Sequence, residues 1–571
     1  HSKDLSFGIN WKHNINDSWV ISNNARYSAK NLDINSQTAT NFTYLDDVVT
    51  NSFSGATTLG SGIITYKDRE SGQILATVSQ TFGQRGPSYT VLTNSLPGIV
   101  PERPSVRYSG SGKNVIALNE FMDQFSITKK LKIGSITAGM FYANSAISGS
   151  PDMAAPVLLL SPIGDKTKPM DVTFKSSTPG NTATYQLSDP STGYLKLGGS
   201  FGFARYEYTY NQTAFFLGNN LDLTSKLNLD WGLRYEANSI VGENVRTSPS
   251  TKTGGLDGVA TTVYDSFYGV YNTNSVKFDK NINTFSYSAG LNYKFNDNNA
   301  LYVRYTKGQK SPDLSFFQTY TNDFIANNSE PLNQDVIQAE LGYKLKTNNF
   351  RLLVTPFLSM LKSIGTTALS DEPVPGSTTT QLYYTPIVYN SVQTKGIEVE
   401  GDVDFNKHFN LRAAFTVQNA EYTNWQTWNV GVTGRQDDKL VDYTGNTAEN
   451  NPTVLFTITP TYSVGKFYAL VQWKYMGERQ ANQPNAYILP AFSQFDLSSG
   501  YNFSSKLSLM LNINNVTDVL GIMGSASPGG IIASFSPQNI TKAQVEANPN
   551  AVHSIIPIQP RAYFLTLSYK F

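Results

Sequence analysis

Apolar and polar residues alternate one for one along much of this chain, most clearly at its end. In Arg561 to Phe571, residues Tyr563, Leu565, Leu567, Tyr569 and Phe571 fall on one side of an extended strand; Ala562, Phe564, Thr566, Ser568 and Lys570 fall on the other. The apolar side has rings at both ends and leucines between them. A strand crossing a bilayer needs that order, with aliphatic groups against the tails and aromatics at the two interfaces. A half-buried strand of a soluble sandwich has the same period, so this stretch leaves both readings open.

The rhythm recurs upstream. Leu5, Phe7, Ile9 and Trp11 alternate with polar residues over Asp4 to Lys12, and Trp19, Ile21 and Tyr27 follow a short polar turn. Phe285, Tyr287, Ala289, Leu291, Tyr293 and Phe295 run into a turn at Asn296 to Asn299 and return as Leu301, Val303 and Tyr305. Equivalent units centre on Thr347-Asn348-Asn349, Lys407-His408, Gly465-Lys466 and Ser504-Ser505-Lys506. Short turns alternating with long polar loops predict an all-β chain, a large antiparallel transmembrane β-barrel with about 17 strands, periplasmic turns and extracellular loops. The first and last strands both run toward the short-turn side, which makes the count odd. A closed single-chain barrel is even, so further strands are expected before His1 or inside Asn31 to Leu118. That segment, rich in Thr, Ser, Gly and Asn, is either a large loop or an inserted hairpin domain with strands near Gly62 to Lys67 and Gln73 to Gln80.

Composition agrees with a wet lumen and a greasy outside. The chain has 33 Tyr and 32 Phe but only 15% charged residues, where a soluble domain has about a quarter. Its 571 residues exceed the roughly 250 to 300 at which one soluble core stops growing. No apolar run approaches the roughly 18 residues of a spanning helix, so any crossing is made by strands. His1-Ser2-Lys3-Asp4 carries no signal peptide, so an exported protein would have lost it or would continue upstream. A net charge of +1 gives no reason to expect a nucleic-acid partner.

Catalytic and metal chemistry finds little support. There is no Cys, and the four His are scattered, which removes thiolate ligands and His pairs. Ser109 to Asn114, SGSGKN, lacks the first Gly and the final Ser or Thr of a phosphate loop, and no GxSxG elbow occurs. We therefore expect no enzyme and no cofactor. The notable cluster is Glu398, Glu400, Asp402 and Asp404, four carboxylates at alternate positions that line one lumenal strand face. With Arg234, Arg304, Arg351 and Arg412 also on inward faces, they form a structural ladder, or they contact a substrate or plug. Ligand capture is expected on the loops Ala146 to Ser200, Asn238 to Lys280, Gln309 to Leu332 and Asn424 to Asn450. These carry Tyr264, Phe267, Tyr271, Phe316, Phe317, Tyr320, Trp425 and Trp428, rings that suit sugar faces or planar chelates and could equally pack the loops together.

Thr284 to Leu314, TFSYSAGLNYKFNDNNALYVRYTKGQKSPDL, resembles a recurrent barrel segment of TonB-dependent outer-membrane receptors. Glu340 to Lys344, Lys395 to Gly401 (KGIEVEG), Leu489 to Asp518 with its LSLMLNINNVTD, and the terminal RAYFLTLSYKF resemble the same family in the same order. The resemblance implies a 22-stranded barrel closed by a plug. It also implies energised uptake of a scarce nutrient such as a metal-siderophore, cobalamin, a glycan or a peptide. Implied partners are outer-membrane lipid and lipopolysaccharide, TonB acting through the plug, and a surface lipoprotein. Neither plug nor TonB box is found, so residues 1–571 are taken as the C-terminal barrel portion, with Asp4 to Lys12 near the sixth strand. A passive porin-like channel and a surface adhesin or assembly scaffold are the alternatives. The Asn- and Lys-rich loops resemble those of Bacteroidetes receptors.

Overall fold

The computed structural model describes residues 2–571, except parts of 38–58, 84–102, 152–204 and 548–554, together with 250–268, 377–379, 432 and 525–539. Seventeen long strands form one antiparallel wall in chain order. The first six are β1 (Ser2–Asn16), β2 (Trp19–Gln37), β3 (Ser105–Leu131), β4 (Gly134–Pro151), β5 (Arg205–Asp222) and β6 (Leu227–Pro249). Next come β7 (Gly269–Asn296), β8 (Asn299–Lys310), β9 (Gln334–Lys346), β10 (Phe350–Thr366), β11 (Val388–Asp404) and β12 (Phe409–Asn424). The wall ends with β13 (Val454–Val464), β14 (Phe467–Met476), β15 (Phe492–Asn502), β16 (Leu507–Asn514) and β17 (Ala562–Tyr569). Short turns and long connections alternate strictly, as the rhythm predicts. Three short strands at the long-connection rim, Asn41–Tyr44, Val157–Ser161 and Leu195–Lys196, bring the sheet to 20.

The apolar face is the outer one. In the last hairpin Leu507, Leu509, Leu511 and Ile513 stand opposite Tyr569, Leu567, Leu565 and Tyr563. Leu565 and Leu567 are 71% and 67% exposed, and among the described residues no second sheet covers them. On β7 the outward series Phe285, Tyr287, Leu291, Tyr293 and Phe295 is exposed, whereas the inward Ile282, Thr284 and Gly290 are buried. From Phe285 to Phe295 a strand rises roughly 34 Å, which at a tilt of about 45° spans roughly 24 Å, the height of a barrel's apolar band.

Above Phe285 the alternation inverts. Phe215, Tyr235 and Phe285 form one outward row across β5, β6 and β7. Beyond that row the outward positions turn polar (Glu207, Thr209, Glu243, Lys277, Asp279), and the inward ones turn apolar (Tyr206, Tyr208, Ile240, Phe278, Ile282). The row marks the upper edge of the membrane: above it the outside meets water and the inside is covered by protein. The segment Asn238 to Lys280, expected to be a loop, is therefore largely wall, since β6 extends to Pro249 and β7 starts at Gly269. Likewise β2 and β3 extend far into Asn31 to Leu118, and SGSGKN lies within strand β3.

The inserted domain is present. A five-stranded sheet has the order Thr184–Gln186, Met170–Ser176, Gly62–Asp68, Ile74–Gly83, Gly86–Asn94. Its Ile64, Tyr66, Val78, Val172 and Phe174 bury against Val106 and Tyr108 of β3 and Leu160. This core forms because period-two apolar positions on both sheets meet face to face.

Inside the barrel, glycines make room for rings. Tyr302 stands opposite Gly342, and a Cβ on Gly342 would lie 1.8 Å from the Tyr302 ring. Lys344 caps the same ring at 4.5 Å. Gly342→Val should expel the ring and destabilise the barrel by about 1–3 kcal/mol. At Gly401 an added Cβ meets nothing within 4 Å, so Gly401→Ala should be close to neutral. Urea midpoints of the two variants refolded in lipid vesicles test the contrast, and equal midpoints would refute the packing argument.

Candidate functional site

The lumen-facing charges are placed by strand register. Arg304 donates to Asp230 at 2.8 Å, and Arg234 pairs with Glu236. Arg412 meets Asp402 at 3.3 Å. Asn410 donates to both Asp402 (3.0 Å) and Asp404 (2.9 Å), and Arg351 lies opposite Asp402 in register. Two of the four ladder carboxylates are thus tied into wall contacts. Glu398 and Glu400, with Glu340, Tyr302, Gln338 and Thr355, instead line a recess of 260 Å³ in the wall.

At the mouth, the connection between β8 and β9 folds inward. Helix α1 (Leu314–Phe317) and helix α2 (Asp323–Asn328) bring Phe317, Tyr320, Ile325 and Ala326 onto the inward apolar positions above the membrane row. Asn322 caps α2, accepting from the Ile325 amide at 2.9 Å. Phe317 stacks on Phe278 at 5.4 Å, and Tyr320 meets Phe278 edge-on at 5.1 Å. Asn244 of β6, fully buried, latches the connection to the wall. Its Nδ2 donates to the Phe317 and Tyr320 carbonyls at 2.8 and 3.1 Å, and its Oδ1 accepts from the Tyr208 hydroxyl at 2.6 Å. Burial pushes the Tyr320 hydroxyl above its usual range, and it donates to the Ser329 carbonyl at 2.9 Å.

Between this connection and the hairpin Leu369–Pro373/Thr380–Tyr384 lies a recess of 400 Å³, within the range of small-ligand sites. Phe316, Tyr384, Leu332 and Ile387 give it apolar walls, and Lys310, paired with Asp313 at 3.1 Å, and Glu330 place one ammonium and two carboxylates there. Phe324 stacks on Tyr384 at 6.0 Å, and burial raises the Tyr384 hydroxyl. The arrangement suits a flat, partly aromatic ligand with polar groups at its edge.

The structure brings few of the expected loop rings to this recess. Phe316 lines it, and Trp428 donates to the Pro386 carbonyl at 2.9 Å, next to Ile387. Phe317 and Tyr320, expected to contact ligand, are 1% and 0% exposed; they anchor the connection instead, since the wall behind them offers an apolar face. Trp425 packs against Tyr422 with the rings tilted and their centroids 4.3 Å apart, and donates to Gln483 at 3.1 Å, so it packs two connections together. Tyr271 lies in β7 opposite Thr247, and Tyr264 and Phe267 fall outside the described residues. Lys310, Glu330, Leu332, Tyr384 and Ile387 were missed, because their convergence depends on two connections about 50 residues apart folding over one opening.

Residues 161–516 match the family described as TonB dependent receptor-like, beta-barrel. The chain belongs to that family. As a member of this receptor family it is an outer-membrane β-barrel. It is 21% identical over 318 residues to a protein of Acinetobacter baumannii named probable TonB-dependent siderophore receptor PiuA, a match covering 55% of this chain and 37% of that protein. Among solved structures, the open form of the ferric-catecholate import receptor Fiu from E. coli K12 is similar over all of this chain and 62% of its own, with a TM-score of 0.55 and 14% identity. The copper transporter OprC is similar over all of this chain and 72% of its own, with a TM-score of 0.52 and 10% identity. The receptor chain thus spans well under half of the curated relative and less than two thirds of Fiu.

Proposed function

We propose that this receptor imports a ferric siderophore or a chelate of similar size, drawing energy from TonB through a plug that fills the barrel. The observation that carries the reading is the ring-walled recess at the mouth, formed by connections folded inward over the lumen. The name of the A. baumannii relative points to the same ligand class. Sheet topology supports the plugged architecture. The outer edges of β1 and β17 are unpaired among the described residues, and both strands run toward the short-turn rim. Two such edges join in an antiparallel sheet only through an odd number of further strands, a parity that the five needed for a 22-stranded plugged transporter satisfy.

The test uses the full-length receptor in iron-starved cells. Uptake of radio-iron siderophore should cease when the proton-motive force is collapsed, and Phe316→Ala with Tyr384→Ala should lower it about tenfold while leaving the barrel folded. Steady conductance in planar bilayers, with permeation indifferent to the proton-motive force, would make the protein a passive channel. Failure to take up or bind any chelate, alongside a folded barrel, would favour the adhesin or scaffold alternative.

A further inference from the structure

The two rims of the wall differ in charge. The eight short turns contain five Lys (Lys132, Lys226, Lys407, Lys466, Lys506) and two acids (Asp17, Asp297), and a further Lys570 follows β17. The eight long connections contain 14 Lys and Arg against 23 Asp and Glu. A chain of net charge +1 is therefore basic at its short-turn rim and acidic at the other. The lysines also share a setting. Lys132 sits between the exposed Leu131 and Ile133, and Lys407 follows the exposed Phe405 by two residues. Lys466 precedes Phe467, and Lys506 follows Phe503 by three. Each ammonium is exposed and stands at the end of the outward apolar belt, and among the described residues none of the five forms an ion pair. Lys466 donates to the Phe503 carbonyl at 2.7 Å, which holds its charge level with the lower ring belt.

We propose that the short-turn rim is a binding surface for anionic phospholipid headgroups of the periplasmic leaflet, of the phosphatidylglycerol type. A ring or aliphatic residue at the tail boundary followed within one to three residues by a flexible ammonium reproduces the chemistry of such a lipid, whose phosphodiester lies just outside its acyl chains. Lysine suits the task because its long stem lies along apolar surface while its charge reaches the phosphate. An anionic surface favours each nearby lysine by roughly fivefold in occupancy, so one or two per lipid contact suffice for selection. The surface is independent of what the receptor transports.

The experiment extracts the full-length receptor from vesicles of equal phosphatidylglycerol and phosphatidylethanolamine, and native mass spectrometry counts the phospholipids retained. The wild type should retain the anionic lipid at least about threefold over the zwitterionic one, and less so as salt rises. The variant K132Q/K226Q/K407Q/K466Q/K506Q should lose the preference, whereas a control with Lys166, Lys168, Lys175, Lys439 and Lys542 of the long connections changed to Gln should keep it. Heat-modified gel mobility verifies folding. If the fivefold variant fails to fold, Lys407→Gln and Lys466→Gln singly, with the salt titration of the wild type, give the same decision. Equal retention of both lipids by the wild type, or an undiminished preference without the turn lysines, overturns the proposal.

Discussion

Asn244→Ala is expected to release the connection between β8 and β9 from the wall without unfolding the barrel. The substitution removes two donors to the Phe317 and Tyr320 carbonyls and the acceptor for the Tyr208 hydroxyl, all in a site closed to water. Buried polar groups left without partners cost about 1–3 kcal/mol each; with relaxation, a total of about 3 kcal/mol is reasonable. At 1.4 kcal/mol per decade, local opening should rise roughly a hundredfold. Hydrogen exchange over residues 311–333 should speed accordingly, while β10 keeps its protection. Ligand binding should weaken with it, because Phe316 and Glu330 would leave the recess. Unchanged exchange over 311–333 would mean that the aromatic contacts alone hold the connection. Asn244→Asp separates the parts, since a carboxylate still accepts from Tyr208 but offers nothing to the carbonyls.

The latch shows where sequence reasoning succeeds and where it stops. Within the bilayer one rule governs both faces, apolar out and polar in, and strands such as Phe285 to Phe295 can be recognised from it. Short turns are legible for a related reason: Asn, Ser, Gly and Lys cluster there because they cannot extend the alternation without leaving the membrane. Above the membrane row the rule reverses, so Tyr206, Tyr208, Ile240 and Phe278 carry the period of a strand with its sign inverted. A segment with inverted sign, interrupted by Glu243, Lys277 and Asp279, looks like a loop when only lipid is considered. The candidate site was less legible still. Lumen charges follow from strand parity, so Arg304, Asp402 and Arg412 could be placed inward, whereas the pairing of Arg412 with Asp402 and of Arg304 with Asp230 is set by the register between strands. The recess depends on which loop rings are spent as anchors and which remain free. Phe316 and Phe317 are adjacent in sequence, yet one lines the recess and the other is buried; helical spacing over a single turn decides between them.

A single arginine placed on either face of β7 should separate the membrane wall from every soluble alternative. Leu291 points outward between Leu229 and Val303 near the middle of the apolar band, so Leu291→Arg should cost about 2–4 kcal/mol in the depth-dependent range for outer-membrane barrels. Ser288 points inward between Gly232 and Thr306, where the lumen hydrates a guanidinium, so Ser288→Arg should cost far less. Urea titration of both variants refolded into vesicles supplies the comparison, with folding read from intrinsic tryptophan fluorescence. Detergent micelles of matched thickness should reproduce the ordering, because the penalty arises from hydrocarbon around the wall. A soluble sandwich predicts the opposite pattern in part: an arginine at Leu291 would be tolerated on a solvated face, and one at Ser288 would disrupt a packed interior. The sign of the difference therefore identifies the solvent on each side of the wall, hydrocarbon outside and water within.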